Sequence, residues 1–288
     1  MSSFLQNYQR QPKIFIDLPS KGVFYDDTVL ENGQHMQIPV FGMNAMDEIM
    51  FKTPDALFSG DATVQVIKSC IPTILDPWKL VGFDIDYVLI AIRIATYSDD
   101  LNITSRCVKC QHENESVLSL TKLIQSFDNY QTENNFEIQD LTFRLKPLTY
   151  KQMTDFAIEN YQYERTLLQV AKNESLTDDQ KNAESKKIYS QSNDLNLRVS
   201  VSYIKSVESN EESETNIENI TNFIVNNDAT FYNTLKENIR KLSMQWELPM
   251  VDISCNGNEC DHSYKTKVDL DYSNFFGLKF LHSRNLIS

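Results

Sequence analysis

The chain has 288 residues, 41% hydrophobic and 11% aromatic, which is enough apolar material for a large core and unlike a disordered chain. Its 40 acidic and 27 basic residues leave a net charge of −13, which argues against a protein that grips a phosphate backbone through clustered Lys and Arg. Met1-Ser2-Ser3-Phe4-Leu5-Gln6 lacks a basic stretch followed by an apolar one, and the longest apolar run, residues 87–95, is interrupted by Arg93 and too short for a span of ~20 residues. Neither a secretion signal nor a membrane helix is expected.

The first 40 or so residues read as β structure. Lys13–Leu18 is strand-like, Pro19-Ser20-Lys21-Gly22 is a turn, and Val23-Phe24-Tyr25 is a short strand. Glu31-Asn32-Gly33-Gln34 turns the chain into His35–Phe41, where Pro39 has no N–H and predicts an edge position. Helices follow. Asn44 can cap Ala45–Phe51, Thr53-Pro54 starts a short helix that ends at Gly60, and Asp61 can cap Ala62–Ile71. Asp76-Pro77 begins a brief helical turn ending at Gly82. Asp84 opens Ile85–Tyr97, which is apolar on nearly every side and is expected to be a buried spine. Arg93 within it needs a carboxylate or carbonyl partner if buried.

Residues 101–106 and 115–120 read as strands flanking Cys107-Val108-Lys109-Cys110. Phe136–Ile138 and Leu141–Lys146 form a further hairpin candidate, ended by Pro147. From 149 to 247 the pattern is helical. Thr149 caps Tyr150–Lys172, and Thr177-Asp178-Asp179-Gln180 is a capping box opening a helix toward Val207. The polar, acidic stretch Glu208–Thr215 reads as a solvated link. Asn216 and Asp228 cap Ile217–Val225 and Ala229–Trp246. Met250–Ser254 and Tyr264–Leu270 are strands around Cys255-Asn256-Gly257-Asn258-Glu259-Cys260, and the tail Phe275–Leu281 is strongly apolar.

The two cysteine pairs carry the chemistry. Each stands at a hairpin tip and supplies two thiolates, half of a tetrahedral Zn²⁺ site. Cys107, Cys110, Cys255 and Cys260 are therefore expected to converge on one structural ion, although 145 residues separate Cys110 from Cys255. His112 and His262, each two residues beyond a cysteine, could stand in for a ligand. Cys-x₂-Cys spacing without a secretion signal favours metal over disulfides, and the fifth cysteine, Cys70, reads as packing on an apolar helix face. A Gly-rich phosphate loop, a Ser nucleophile elbow and a His-Glu-x-x-His helix are all missing from the sequence. Acidic pairs such as Asp99/Asp100 read as caps and surface. No enzyme, small-molecule substrate or membrane partner is expected.

The order Leu18-Pro19-Ser20-Lys21-Gly22-Val23-Phe24-Tyr25, Met46-Asp47-Glu48, the Ile85–Tyr97 helix with Arg93, and Cys107-x-x-Cys110 resembles the baseplate hub assembly protein family of T-even-type contractile-tailed bacteriophages. The resemblance covers about residues 12–120 well. It extends more loosely through Leu145-Lys146-Pro147-Leu148-Thr149 and the second cysteine pair to Phe275-Phe276. It implies a tail-morphogenesis protein, an assembly chaperone or hub subunit. Its partners would be other baseplate hub or tail proteins, with the tape-measure protein as one candidate. The implied location is the host cytoplasm during assembly, or the tail baseplate of the virion.

The expected architecture is α+β, with a small β core stapled by a Cys₄ zinc-ribbon-like site. Residues 1–148 would form a β/helical region with the first cysteine hairpin, 149–247 a helical insertion, and 248–288 the second hairpin and apolar tail, packing back on the first region. The alternative is a zinc-ribbon nucleic-acid-binding or transcription factor, since Lys109, Lys265 and Lys267 lie near the cysteines; the acidic charge opposes it.

Overall fold

The computed structural model describes residues 9–51, 58–132, 134–210, 212–257 and 260–268. The expected Thr53-Pro54 helix start and the apolar tail Phe275–Leu281 lie outside them. The fold is α+β. The described residues divide into two compact units, one made of 9–130 and 247–268, the other of 131–246.

In the first unit, β1 (Pro12–Ile16) pairs antiparallel with β2 (Ile38–Phe41), Phe15 opposite Pro39. A two-stranded ribbon has only edges, so the missing N–H of Pro39 is tolerated. Asn44 caps α1 (Ala45–Phe51), its Oδ1 accepting from the amides of Met46 at 2.8 Å and Asp47 at 3.0 Å. Helix α2 (Asp61–Cys70) begins after its N-cap Gly60 at φ 81° and has no side-chain cap hydrogen bond; Asp61, expected to cap it, is its first residue. Helix α3 (Gly82–Thr96) is buried continuously from Phe83 to Ile92, the spine its all-round apolarity predicts. Arg93 lies against an aromatic face: its guanidinium is 5.3 Å from the centre of the Tyr97 ring.

Val23-Phe24-Tyr25 is not a strand. The segment from Pro19 to Phe24 is a succession of turns, with Lys21 and Gly22 both at positive φ. Those turns aim two groups at one buried carboxylate, Asp84 in the first turn of α3. The Ser20 amide donates to Asp84 Oδ1 at 3.1 Å and the Tyr25 hydroxyl to Oδ2 at 2.5 Å, while the Val81 amide donates to the same hydroxyl at 3.0 Å. A second anchor centres on buried Asp47, which accepts from the Asn44 amide, the Ser69 hydroxyl and Arg10.

Further along this unit, β3 (Asp100–Arg106) pairs with β4 (Glu113–Ser119), and β9 (Val251–Ser254) with β10 (Ser263–Thr266). A short helix, α4 (Leu120–Gln125), follows β4. Asp99, read from the sequence as a cap or surface residue, accepts from the Ser119 hydroxyl and the Thr121 amide and ties the start of β3 to the start of α4.

The second unit has a four-stranded antiparallel sheet in the order β5 (Asn134–Ile138), β6 (Leu141–Leu145), β7 (Ile204–Ser209), β8 (Glu212–Glu214). Capping boxes at Thr149 and Thr177 open α5 (Tyr150–Lys172) and α6 (Asp178–Ser202). These pair as a helical hairpin, with Arg198 reaching Glu159 at 2.5 Å. Helix α6 stops at Ser202 instead of continuing toward Val207, because Ile204, Ser206 and Val207 are buried in the sheet as β7. The acidic stretch read as a solvated link is the β7–β8 hairpin, turning at Asn210 with φ 48°. Arg144 on β6 bonds both Glu208 oxygens on β7, at 2.7 and 2.8 Å. Asn216 and Asp228 cap α7 (Ile217–Val225) and α8 (Ala229–Ser243), which pack Phe223 and Phe231 edge to face.

Burial raises the Asp84 carboxyl to about 6, against the pull of the Ser20 and Tyr25 hydrogen bonds. An unfolded Asp gives up its proton near pH 4. Between those values the folded chain holds a proton that the unfolded chain has lost, so this group makes stability fall as pH rises from about 4 to about 6. Asp84→Asn removes the ionisation while keeping an acceptor for Ser20. Denaturant titrations at pH 4 and pH 7 should show the variant gaining on wild type by on the order of 2 kcal/mol across that interval; a pH-independent difference would mean that Asp84 ionises normally.

Candidate metal centre

Two hairpins of the first unit meet tip to tip. The turn after β3 carries Cys107 and Cys110, and the turn after β9 carries Cys255 and Cys260. The four sulfurs all lie within 4.8 Å of one another. Cys110 Sγ is 3.5 Å from Cys255 Sγ, and Cys107 Sγ is 3.9 Å from Cys260 Sγ, each contact joining one hairpin to the other. All four are free thiols, far outside the S–S bond length of about 2.05 Å. Sulfurs at 2.3 Å from a common tetrahedral centre would be about 3.8 Å apart. The spacing therefore fits a four-sulfur metal site, and four close cysteines could bind a metal ion.

The two turns close in the same way. The Cys107 amide donates to the His112 carbonyl and the Cys255 amide to the His262 carbonyl, both at 2.9 Å. Within them, the Gln111 amide donates to Cys107 O at 2.9 Å and the Cys260 amide to Gly257 O at 3.1 Å. Gln111 sits at φ 60°, a left-handed conformation that glycine would adopt without strain. At Gly257, a Cβ would come within 3.0 Å of His112 Cβ and Cγ, so the second turn needs glycine to lie this close to the first. The histidine rings are otherwise engaged: His112 Nε2 meets Asn256 Oδ1 at 3.1 Å, and the His262 ring stacks on Tyr264.

Cys107, Cys255 and Cys260 are buried and Cys110 is exposed. They share a small cluster with Ile253 and Tyr264, flanked by Ile103 and Val251. Burial raises the Cys107 thiol, but the amides of Cys110 and Lys109 and the neighbouring sulfhydryls outweigh it and bring the group down to about 7. The His112 amide lowers Cys110, yet burial and its bonds to the other three sulfurs push it up to about 12. The Gly257 amide donates to Cys255 Sγ at 3.4 Å. Backbone donors thus stabilise thiolate, the form a metal binds.

Cys70 stands apart, buried in α2 with its sulfur 3.9 Å from Asp47 Oδ2. Burial, reinforced by the Asp47 charge, pushes its thiol up to about 12, which keeps it protonated and inert.

A polar bridge beneath the sulfurs was not foreseen from the sequence. Asn114 on β4 is fully buried. Its Oδ1 accepts from the Asn256 amide at 2.8 Å, and its Nδ2 donates to Tyr264 Oη at 3.0 Å and His112 O at 3.2 Å. The Tyr264 hydroxyl also meets Ser105 Oγ at 2.7 Å. Strand alternation places Asn114 inward, but asparagine there looks like any polar strand residue until its partners, 142 and 150 residues away, are known. Asn114→Ala would strand the Asn256 amide and should lower unfolding free energy by about 2 kcal/mol in a urea titration. A loss below a few tenths would show the bridge to be dispensable.

Among the described residues no helix is long and apolar enough to cross a membrane. No curated protein and no solved structure matches the chain. A family model does: that of the T4 bacteriophage base plate protein, over residues 43–277, a stretch holding both cysteine pairs and the whole second unit. With most of its length matched, the chain belongs to the T4 bacteriophage base plate protein family.

Proposed function

We propose that the protein is a baseplate hub assembly factor, an assembly chaperone or hub subunit, acting through protein–protein contact. Membership in the family carries a structural role in the phage tail, partners among the other baseplate or tail proteins, and a place in the virion or in its assembly. The finer steps are our own: action at the hub, the tape-measure protein among the partners, and assembly in the host cytoplasm.

Within this proposal Cys107, Cys110, Cys255 and Cys260 hold a structural zinc ion. The observation that carries it is the convergence of four sulfurs from two hairpins at tetrahedral spacing. Four thiolates complete the coordination and leave no position for water or substrate, which favours a scaffold over a catalyst. The bound ion would supply cross-linking of the hairpins; the protein supplies the backbone donors and the Asn114 bridge that fix the sulfurs.

The nucleic-acid alternative is less well supported. Of the lysines that motivate it, Lys267 lies 3.1 Å from Glu247, and Arg106 before the first turn lies 3.4 Å from Glu113. The net charge of −13 opposes a phosphate backbone.

Elemental analysis of the purified chain should find about one zinc per chain. Cys255→Ser and Cys110→Ser should lose it and Cys70→Ser keep it. Iron in place of zinc, or no stoichiometric metal, would overturn the assignment. Co-expression with the hub and tape-measure proteins of the same phage should yield a complex on affinity purification. Failure to associate with any tail protein, together with salt-sensitive binding to DNA or RNA at physiological ionic strength, would favour the alternative.

A further inference from the structure

The second unit contains an open groove of about 580 Å³ between the β7–β8 ribbon and α7. Leu141, Val207, Ile220 and Phe223 give it an apolar lining, and Phe223 remains 38% exposed. Its lip is acidic. Glu212 pairs with Ser209 and Glu214 with Val207 across the ribbon, so both glutamates share the groove's face of the sheet. Beyond them β8 is an end strand, paired with β7 alone among the described strands. Such an edge presents backbone N–H and C=O groups that another strand can pair with.

We propose that this groove binds a basic, extended segment of a partner protein. The segment would add as a strand outside β8, with apolar side chains in the groove and Lys or Arg against Glu212 and Glu214. Charge selects this occupant. A second copy of the chain, docking its own β8 antiparallel, would set Glu212 against Glu214 twice, and like charges directly opposite are destabilising. Each copy also carries −13. Glu214 is held in place by the Asn216 amide at 2.7 Å and by Asn219 Nδ2 at 2.8 Å, so the negative lip is fixed in position before any partner arrives. Those same bonds, the Asn216 amide first, keep its carboxyl below the usual range and so charged at neutral pH. Glu212 is exposed and is the group left to meet a cation.

The proposal names the chemistry of one partner within the assembly reading, yet the groove contains none of the four cysteines, so it stands or falls independently of the metal. The probe is a fluorescein-labelled synthetic peptide in which Lys alternates with Ile and Val. A control peptide of identical composition has its lysines and apolar residues in separate blocks. Anisotropy with the full chain should show binding of the alternating peptide that weakens with salt, and hydrogen exchange should slow at β8 and α7. Glu212→Lys, an exposed change whose folding is checked by its melting curve, should weaken binding roughly tenfold, and Glu212→Gln by less. Equal binding of the blocked peptide, undiminished binding to Glu212→Lys, or exchange protection only elsewhere would overturn the proposal. So would a concentration-dependent dimer that Glu212→Lys strengthens.

Discussion

Cys110 and Cys255 are 145 residues apart in the chain and 3.5 Å apart at their sulfurs, and much of the first unit's architecture follows from that meeting. Each cysteine hairpin is a two-stranded ribbon, and such ribbons are marginal in water unless they pack on something. Here they pack on each other, but the shared apolar cluster is small: Ile253 and Tyr264 with the buried sulfurs, and Ile103 and Val251 at its margin. A core of that size cannot offset the ordering of two ribbons by hydrophobic burial alone. A metal ion is the kind of cross-link that small, core-poor elements use instead, and structural zinc contributes on the order of 10 kcal/mol in small peptides. The long connection is a weak objection, because closure entropy grows only with the logarithm of loop length.

The geometry around the sulfurs is held by the backbone and by one buried amide, which makes the site more than a coincidence of cysteines. Both turns return to their incoming strand through a cysteine amide and a histidine carbonyl. The first turn accepts Gln111 in a left-handed conformation; at Gly257 in the second, a Cβ would crowd the His112 side chain at 3.0 Å. Asn114 then joins them, using its carbonyl on one hairpin and its amide on both. Its three bonds use both N–H donors and the carbonyl oxygen, which explains why this fully polar side chain tolerates complete burial, since a buried polar group costs little once it is hydrogen-bonded.

What could be read from the sequence was what short-range chemistry dictates. Cysteine spacing picked out the two pairs whose sulfurs meet, capping residues at Thr149, Thr177, Asn216 and Asp228 fixed helix starts, and the near-continuous apolarity of residues 85–92, broken only by Asp86, gave the buried spine. What escaped was decided by distant partners. Glu208–Thr215 has the composition of a solvated link, yet Arg144, 64 residues earlier, bonds Glu208 and helps make it a strand. Val23–Tyr25 has strand composition, yet Ser20 and Tyr25 are drawn to Asp84, 64 and 59 residues on, and the chain turns instead. Asn114 looked like any polar strand residue for the same reason. Local propensity is a weak prior where a buried polar group elsewhere offers a hydrogen bond.

The same contrast bears on how an acidic chain could serve assembly. Strong net charge of one sign suppresses self-association and leaves heterologous, oppositely charged surfaces as the favoured contacts. An edge strand that carries Glu212 and Glu214 extends that logic to a local scale: charged residues on an edge block pairing with an identical edge. They do not block a basic strand, for which the same carboxylates become attractive. The proposed assembly role, in which the chain meets a different partner among many copies of itself, would use this asymmetry. In the first unit the corresponding property is rigidity, which the four cysteines would supply if they held a metal ion. The proposed metal site and the proposed docking edge at β8 use different side chains, so a cysteine substitution and one that reverses Glu212 should act on separate properties of the molecule.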